Sequence, residues 1–192
     1  MKKYAVLALI FFTINSMLTF AQEQESILNA PDNWKSELIP FPISFAPSIN
    51  YIGFEDLRFT PTWSDSTSQE FWTYTFVWYV EKDSSLTESS LSEMMNSYYD
   101  GLMGVEFKKK ADQSPIEKTL SIFITTKKGF KGKIRVYDSF FTKKEMLLYV
   151  KVKEAYCAET NKQLISFEIS HKEFKDPVWD LFKDVKLKVK CD

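Results

Sequence analysis

The sequence lacks the residues on which most metal and nucleotide sites depend. It has one histidine, His171, and two cysteines, Cys157 and Cys191, so a zinc site with several histidine ligands is excluded. Neither a Cys-x-x-Cys nor a His-Glu-x-x-His pattern occurs, and the five glycines form no phosphate-binding motif. We therefore expect no metal ion and no cofactor in this protein.

Motifs of nucleophilic catalysis are missing as well. No Gly-x-Ser-x-Gly elbow is present, so a serine hydrolase would have to combine His171 with a serine that the sequence does not identify. His171 therefore has two interpretations, a residue at the end of a strand, which we favour, and a general base. No catalytic residue is assigned from the sequence.

Arginine is scarce, because lysine supplies nearly all of the positive charge and only Arg58 and Arg135 carry a guanidinium group. A guanidinium group can bind a carboxylate through two parallel hydrogen bonds, which an ammonium group cannot do. Arg58 has Glu55 and Asp56 nearby in the sequence, and Arg135 has Asp138. We favour intramolecular clamps at both positions, and the alternative is that the arginines bind an anionic ligand.

An excess of basic charge is also missing, since 25 lysines and arginines face 26 aspartates and glutamates. Proteins that bind nucleic acids derive much of their affinity from a basic face that neutralises phosphates. The run Lys108–Lys110 is best explained as a solvated loop. We expect no nucleic-acid partner.

The first 21 residues have the pattern of a cleaved signal peptide. Lys2 and Lys3 precede an apolar run over residues 5–12, and Thr19–Ala21 supplies a cleavage site before Gln22. Polar residues interrupt the apolar stretch, which falls short of the roughly 20 residues of a membrane-spanning helix. Without a cysteine after the signal, we expect an unlipidated, soluble protein, periplasmic or secreted, with no stable membrane insertion after cleavage.

Residues 22–192 are predicted to form a single globular domain, because this length normally supports one core. Export places Cys157 and Cys191 in an oxidising compartment, where they can form a disulfide. Such a bond would close a loop of about 35 residues and stabilise the fold by about 3 to 4 kcal/mol. Two buried thiols are the alternative.

Prolines and aromatic residues dominate residues 34–63, WKSELIPFPISFAPSINYIGFEDLRFTPTW. Four prolines forbid a helix and limit regular pairing, so we expect an extended segment that wraps along the sheet. Within it, the alternation of residues 53–59 predicts a short edge strand. The segment resembles an uncharacterised family of exported bacterial proteins, and the resemblance implies no activity.

The remaining sequence predicts one long helix and several strands. Residues 70–81 are apolar on both faces and predict a central strand. Thr87 is the expected N-cap of a helix over residues 88–103, with Leu86 and Leu91 as a hydrophobic staple. Four further strands are expected to form a meander: residues 119–127, 133–141, 146–156 and 163–170.

Near the C-terminus, Asp176 and Pro177 predict the start of a short helix, and residues 186–190 predict a final strand. Together these elements indicate an α+β fold with a twisted antiparallel sheet of six to eight strands. The long helix is expected to pack on one face of this sheet. A calycin-like β-barrel is the alternative.

A two-residue turn at Thr160–Asn161 would place Glu154 opposite Phe167 and His171 opposite Val150, on an otherwise apolar face. Asp138 joins that face if the connection after Phe141 has an odd number of residues. Because a buried carboxylate is costly, each inward group requires a partner, a water-filled cavity or a strand end that reaches solvent.

The chain is rich in aromatic residues, with 17 phenylalanines, nine tyrosines and five tryptophans. They indicate either a bulky core or an apolar cavity or platform for a ligand. The function hypothesis is a non-catalytic binding or accessory module for an apolar small molecule or a protein partner. The alternative is a hydrolase that uses an inward carboxylate. The ligand-site candidates are Glu154, Asp138, Arg135, Arg58 and His171.

Overall fold

A computed structural model describes residues 24–81, 85–108 and 117–191. The predicted signal peptide, residues 1–21, lies outside the described residues, as do Lys109 and Lys110.

The described residues form an α+β fold with an open, antiparallel sheet of seven strands. The strands in chain order are β1 (Leu28–Asn29), β2 (Lys35–Pro40), β3 (Gly53–Phe59), β4 (Tyr74–Glu81), β5 (Leu120–Thr126), β6 (Gly129–Tyr137), β7 (Glu145–Cys157), β8 (Lys162–Ser170) and β9 (Lys186–Leu187). The main sheet has the order β2-β3-β4-β8-β7-β6-β5, and β1 pairs with β9 in a second, two-stranded sheet. The main sheet does not close on itself, so the calycin-like alternative is wrong.

The predicted meander is confirmed, because β5, β6, β7 and β8 follow one another in the main sheet. Strand β4 is central, between β3 and β8, as its two apolar faces predict. Strand β6 begins and ends about four residues earlier than expected. It starts at Gly129, whose φ of 105° suits the tight turn from β5, and a turn at Asp138 ends it.

Strand β3 is not the edge strand that the sequence predicts, since β2 and β4 pair with its two sides. The edge position belongs to β2, which lies inside the Pro-rich segment. Residues 35–39 contain no proline, and Pro40 takes the last position of an edge strand, where the missing N–H is tolerated. The expectation that this segment follows the edge of the sheet is confirmed.

The long helix α1 (Glu88–Lys108) packs across one face of the main sheet. Thr87 caps it by accepting a hydrogen bond from the Ser90 amide at 3.1 Å, and Leu86 and Leu91 are both buried. The helix continues past Gly104, the predicted end. We call the sheet face that α1 covers the inner face and the opposite one the outer face.

The C-terminal residues lie on the outer face. Asp176 caps a 3₁₀ helix (Pro177–Asp184) by accepting a hydrogen bond from the Val178 amide at 2.9 Å, as predicted. Cys157 at the end of β7 and Cys191 form a disulfide, with their Cα atoms 4.0 Å apart.

Candidate functional site

An aromatic cavity of about 440 Å³ lies on the inner face at the β2 end of the sheet. Its lining residues are Lys35, Ser36, Glu37, Ile39, Phe45, Leu57, Phe59, Trp63, Trp72, Tyr74, Tyr98, Leu102, Phe140 and Phe141. The first three belong to β2 and are exposed, so the cavity opens to solvent along this edge strand. Cavities that bind small molecules have similar volumes and mainly apolar walls.

Two loops complete the cavity beyond the sheet and the helix. The loop over residues 60–73 contributes Trp63 and Trp72, and the loop over residues 138–144 contributes Phe140 and Phe141. Trp63 packs edge-on against Trp72, with ring centroids 6.2 Å apart, and against Phe141 at 5.3 Å. The wall is therefore assembled from segments that are distant in the sequence.

The indole N–H groups of Trp63 and Trp72 are buried, and among the described residues neither finds a hydrogen-bond acceptor. Burying a donor without an acceptor costs free energy, and most buried polar groups in native proteins are paired. Both indoles belong to the cavity wall. The two tryptophans therefore line the cavity with unused N–H donors buried beneath its surface.

Trp72 also has an unfavourable backbone conformation, with a φ of 49° in the left-handed region. Bulky residues rarely adopt this region, and such residues concentrate at functional sites. The Trp72 amide donates a hydrogen bond to the Trp63 carbonyl oxygen at 2.8 Å, which joins the two tryptophans across the loop. The loop thus maintains a strained residue that presents its indole ring to the cavity wall.

A fully buried carboxyl group, that of Glu55 on β3, lies behind the cavity. It accepts hydrogen bonds from the Trp78 indole N–H at 2.6 Å and from the hydroxyl of Tyr98, a cavity residue, at 2.8 Å. Burial raises the pKa of Glu55 to about 8, although these two hydrogen bonds oppose the shift. The carboxyl group is therefore mainly protonated and uncharged at pH 7.

Sequence reasoning missed Glu55 as a site residue and considered it only as a neighbour of Arg58. The signal was the alternation within β3, which places Glu55 on the same face as Leu57 and Phe59. Burial also raises the pKa of nearby Tyr74 and Tyr99 above the usual tyrosine value, and their hydroxyls are hydrogen-bonded to each other.

Glu154 lies on the inner face, as predicted, but it is exposed and does not line the cavity. It pairs with Ile165 rather than Phe167, because four residues instead of two connect β7 to β8. Its carboxylate accepts a hydrogen bond from the Gln163 side-chain amide at 2.6 Å. A strand end that reaches solvent therefore explains this residue, and its predicted ligand role has no support from the cavity.

Asp138 is fully buried, as predicted, and its carboxylate organises the loop over residues 138–144. It accepts hydrogen bonds from the amides of Phe140 and Phe141 at 3.1 Å each, and from the Thr142 amide and hydroxyl at 2.7 and 2.8 Å. The carboxylate does not line the cavity, but it fixes the backbone that carries the two phenylalanines of the wall. Asp138 is therefore a positioning residue.

Arg58 forms the intramolecular clamp that the sequence favours. Its guanidinium contacts the Asp56 carboxylate and the Ser26 hydroxyl and donates a hydrogen bond to the Leu28 carbonyl oxygen at 2.9 Å. Asp56 in turn accepts hydrogen bonds from the amides of Ile27 and Leu28 at 2.8 and 3.0 Å. The clamp fastens the segment before β2 to the outer face of β3.

The predicted pairing of Arg135 with Asp138 is wrong. Arg135 is half-exposed and forms ion pairs with Glu117 at 3.4 Å and with Glu145 at 4.0 Å. The Asp138 carboxylate instead accepts hydrogen bonds from backbone amides of its own loop and forms no ion pair with Arg135.

His171 follows the last residue of β8 and is half-buried, in agreement with a residue at a strand end. Ile169, and not His171, pairs with Val150, because of the same two-residue shift. The Nδ1 atom of His171 is hydrogen-bonded to the Phe71 carbonyl oxygen, and burial lowers the pKa of the imidazole. The five predicted residues therefore do not converge, and none of them lines the aromatic cavity.

The described part of the chain contains no cluster of three or more histidine, cysteine, aspartate or glutamate side chains that could hold a metal ion. Within the same residues, no helix is long and apolar enough to cross a membrane.

Comparisons with protein-family models, with curated proteins and with solved structures find no match to this chain.

Proposed function

We propose that this protein is an exported, non-catalytic binding protein for a small, neutral and largely apolar molecule that carries hydrogen-bond acceptors such as carbonyl or ether oxygens. The observation that carries this proposal is the pair of unsatisfied indole N–H groups, of Trp63 and Trp72, in the wall of an aromatic cavity. Both N–H groups lie beneath the cavity surface, so a ligand oxygen would supply the missing acceptor once the indole ring turns towards the cavity.

The electrostatics of the cavity support a neutral ligand. Its walls are mostly aromatic, and Glu55 behind them is mainly protonated at pH 7 because its pKa is about 8. At the opening, the exposed residues Lys35 and Glu37 have opposite charges. An ion would therefore enter an apolar volume without a counter-charge, at a large cost in desolvation free energy.

Export is the proposed setting, and the disulfide between Cys157 and Cys191 supports it, since such bonds persist in oxidising compartments. The pattern of the first 21 residues supports it as well. We accordingly propose a periplasmic or secreted protein. The hydrolase alternative receives no support, because Glu154 is exposed and the buried carboxyls of Glu55 and Asp138 are occupied by hydrogen bonds.

Titration with Prodan, a neutral naphthalene ketone whose emission reports polarity and hydrogen bonding, tests the proposal. We expect saturable binding with a blue-shifted emission. Trp63→Phe and Trp72→Phe, which keep an aromatic ring but remove the N–H group, should each weaken Prodan binding about fivefold, the effect of one hydrogen bond. Pyrene, which has no acceptor, should lose much less affinity.

Trp34→Phe is the matched control, because Trp34 packs with the 3₁₀ helix and does not line the cavity. Thermal unfolding of each variant establishes that it is folded. If the wild-type protein does not bind Prodan, or if the two cavity variants bind Prodan as tightly as the Trp34 variant, the proposal is wrong.

A further inference from the structure

A second concave surface, which we call the basic cleft, lies on the outer face between strands β6 to β8 and the 3₁₀ helix. Its volume is about 790 Å³. Seven lysines line it, against the three carboxylates of Glu168, Asp176 and Asp180. The chain as a whole is close to neutral, so this concentration of positive charge is local. The aromatic cavity shares no lining residue with it.

The lysines are placed directly against one another. Lys131 on β6 pairs across the strands with Lys151 on β7, and Lys151 pairs with Glu168 on β8. Like charges in directly opposite positions of two strands destabilise a sheet. A natural sequence that retains such a pair sacrifices some stability, which is typical of binding surfaces.

The carboxylates of the cleft do not neutralise this charge. Glu168 is shared by Lys151 at 3.7 Å and Lys153 at 3.6 Å, and Lys183 pairs with Asp180 at 2.6 Å. Lys131 forms no ion pair within the described residues, and its ammonium group lies 5.0 Å from the ring centre of Phe174. Positive charge therefore remains without a counter-charge in the cleft.

Burial and the neighbouring lysines lower the pKa of Lys151, a residue that lines the cleft. It is only partly exposed, and its ammonium group lies 4.1 Å from the centre of the Trp179 ring. Burial, together with Lys131 and Lys153, lowers the pKa of Lys151, although Glu168 opposes this shift. The rings of Phe174 and Trp179 thus hold the ammonium groups of Lys131 and Lys151 at the lining of the cleft.

We propose that the basic cleft binds a ligand that carries two or more phosphate groups. Lysine binds phosphate as a compact point charge, and seven lysines line the cleft. Several ammonium groups on one surface match several phosphates better than a single anion. The source is either a soluble polyphosphate ester or the headgroup of a phospholipid.

Inorganic tripolyphosphate is the probe, with calorimetric titration of the disulfide-bonded protein at low and at physiological salt. We expect binding that weakens as salt increases. Lys131→Gln and Lys151→Gln should each raise the dissociation constant for tripolyphosphate about tenfold. Lys35→Gln, an exposed lysine at the aromatic cavity, is the matched control and should change it less than twofold.

A measurement without ligand separates binding from structure. Because Lys131 and Lys151 repel each other, Lys131→Gln should raise the thermal midpoint of the free protein while it weakens tripolyphosphate binding. A merely structural lysine would lower the midpoint when replaced. Absence of tripolyphosphate binding, or equal affinities of the Lys131 and Lys35 variants, would overturn the proposal.

The two sources of phosphate are distinguished with phosphatidylcholine vesicles that contain one fifth cardiolipin, a lipid whose headgroup carries two phosphates. Sedimentation of the protein with these vesicles, reversed by tripolyphosphate, identifies a lipid headgroup. Tripolyphosphate binding without sedimentation identifies a soluble ligand. Tighter binding of single-stranded DNA than of either probe would overturn the proposal in favour of a nucleic-acid surface.

Discussion

The aromatic cavity and the basic cleft lie on opposite faces of one sheet and have opposite chemistry. The wall of the cavity contains uncharged donors that lack acceptors, whereas the cleft contains more charged donors than counter-ions. Two neighbours on β3 show how one strand produces such a contrast. Glu55 points to the inner face and is mainly protonated, whereas Asp56 on the outer face is ion-paired with Arg58. Because side chains alternate between the two faces of a strand, adjacent residues can have a neutral and an ionic carboxyl group.

The largest expected effect comes from Asp138→Ala, which should damage the aromatic cavity and spare the basic cleft. The substitution leaves four hydrogen-bond donors of the loop over residues 138–144 without their buried acceptor. We expect a loss of about 4 kcal/mol in the free energy of unfolding and loss of Prodan binding. Urea unfolding and Prodan titration measure the two effects.

Asp180→Ala is the control for this variant, because Asp180 is an exposed residue of the cleft. It should change the stability by less than about 0.5 kcal/mol. Full Prodan affinity in the Asp138 variant would contradict the role of this carboxylate in shaping the cavity wall.

Reduction of the disulfide should produce the next largest effect. It should lower the stability of the protein and leave Prodan binding unchanged. Cys157 and Cys191 are 34 residues apart, and opening this loop costs about 3 to 4 kcal/mol of stability in the chain-entropy model. Neither cysteine lines the aromatic cavity. We therefore expect unfolding at lower urea after reduction, with an unchanged Prodan dissociation constant at temperatures where the protein remains folded.

Cys157→Ser combined with Cys191→Ser should reproduce the effect of reduction without a reductant. A reduced protein as stable as the oxidised one, or one with a weakened Prodan affinity while still folded, would contradict this expectation.

A smaller effect is expected from the pH dependence that Glu55 imposes on the inner face. Its folded pKa of about 8 is above the ordinary glutamate value of 4.5, so between these values the folded state binds a proton that the unfolded state has released. The contribution of Glu55 to stability is therefore fully present below about pH 4.5 and decreases, by at most about 1.4 kcal/mol per pH unit, as the pH rises towards 8.

Glu55→Gln should remove this decrease, because glutamine stays neutral and can still accept a hydrogen bond from Trp78. Urea unfolding at pH 5 and pH 8 compares it with Glu159→Gln, an exposed loop residue that should keep the wild-type slope. If the wild-type and Glu55 variants have parallel pH profiles, the carboxyl is not protonated in the folded state.

The meander from β5 to β8 and the faces of its residues could be predicted from the sequence, whereas the edge of the sheet at β2 and the site could not. Alternation within β7 and β8 gives the correct faces even though the predicted register is shifted by two residues, because a shift of two preserves parity. The error lay in the turn, in which Asn161 alone has a positive φ of 53° and four residues form the connection.

The aromatic cavity escaped prediction because it depends on distant contacts. Its wall brings Trp63 and Trp72 against Phe141, and no sequence pattern specifies that the loops at residues 60–73 and 138–144 meet. Asp138 was predicted to be an inward carboxylate, but its partners could not be predicted. They are backbone amides of its own loop, which every residue except proline has, so the sequence does not mark them. Glu154 was predicted as a ligand-site residue because the predicted register placed it opposite Phe167, farther from the end of the strand than it is.

The hydrogen bonds to Asp138 have a consequence for how the wall of the aromatic cavity could change over evolution. They hold Phe140 and Phe141 through their backbone amides, so the hydrogen bonds that fix these two positions do not depend on their side chains. Phe140 and Phe141 are consequently free to vary in size and polarity while the sheet and the helix stay the same. These two positions are the natural place for diversification, and a library restricted to them would yield cavities of new selectivity on an unaltered scaffold.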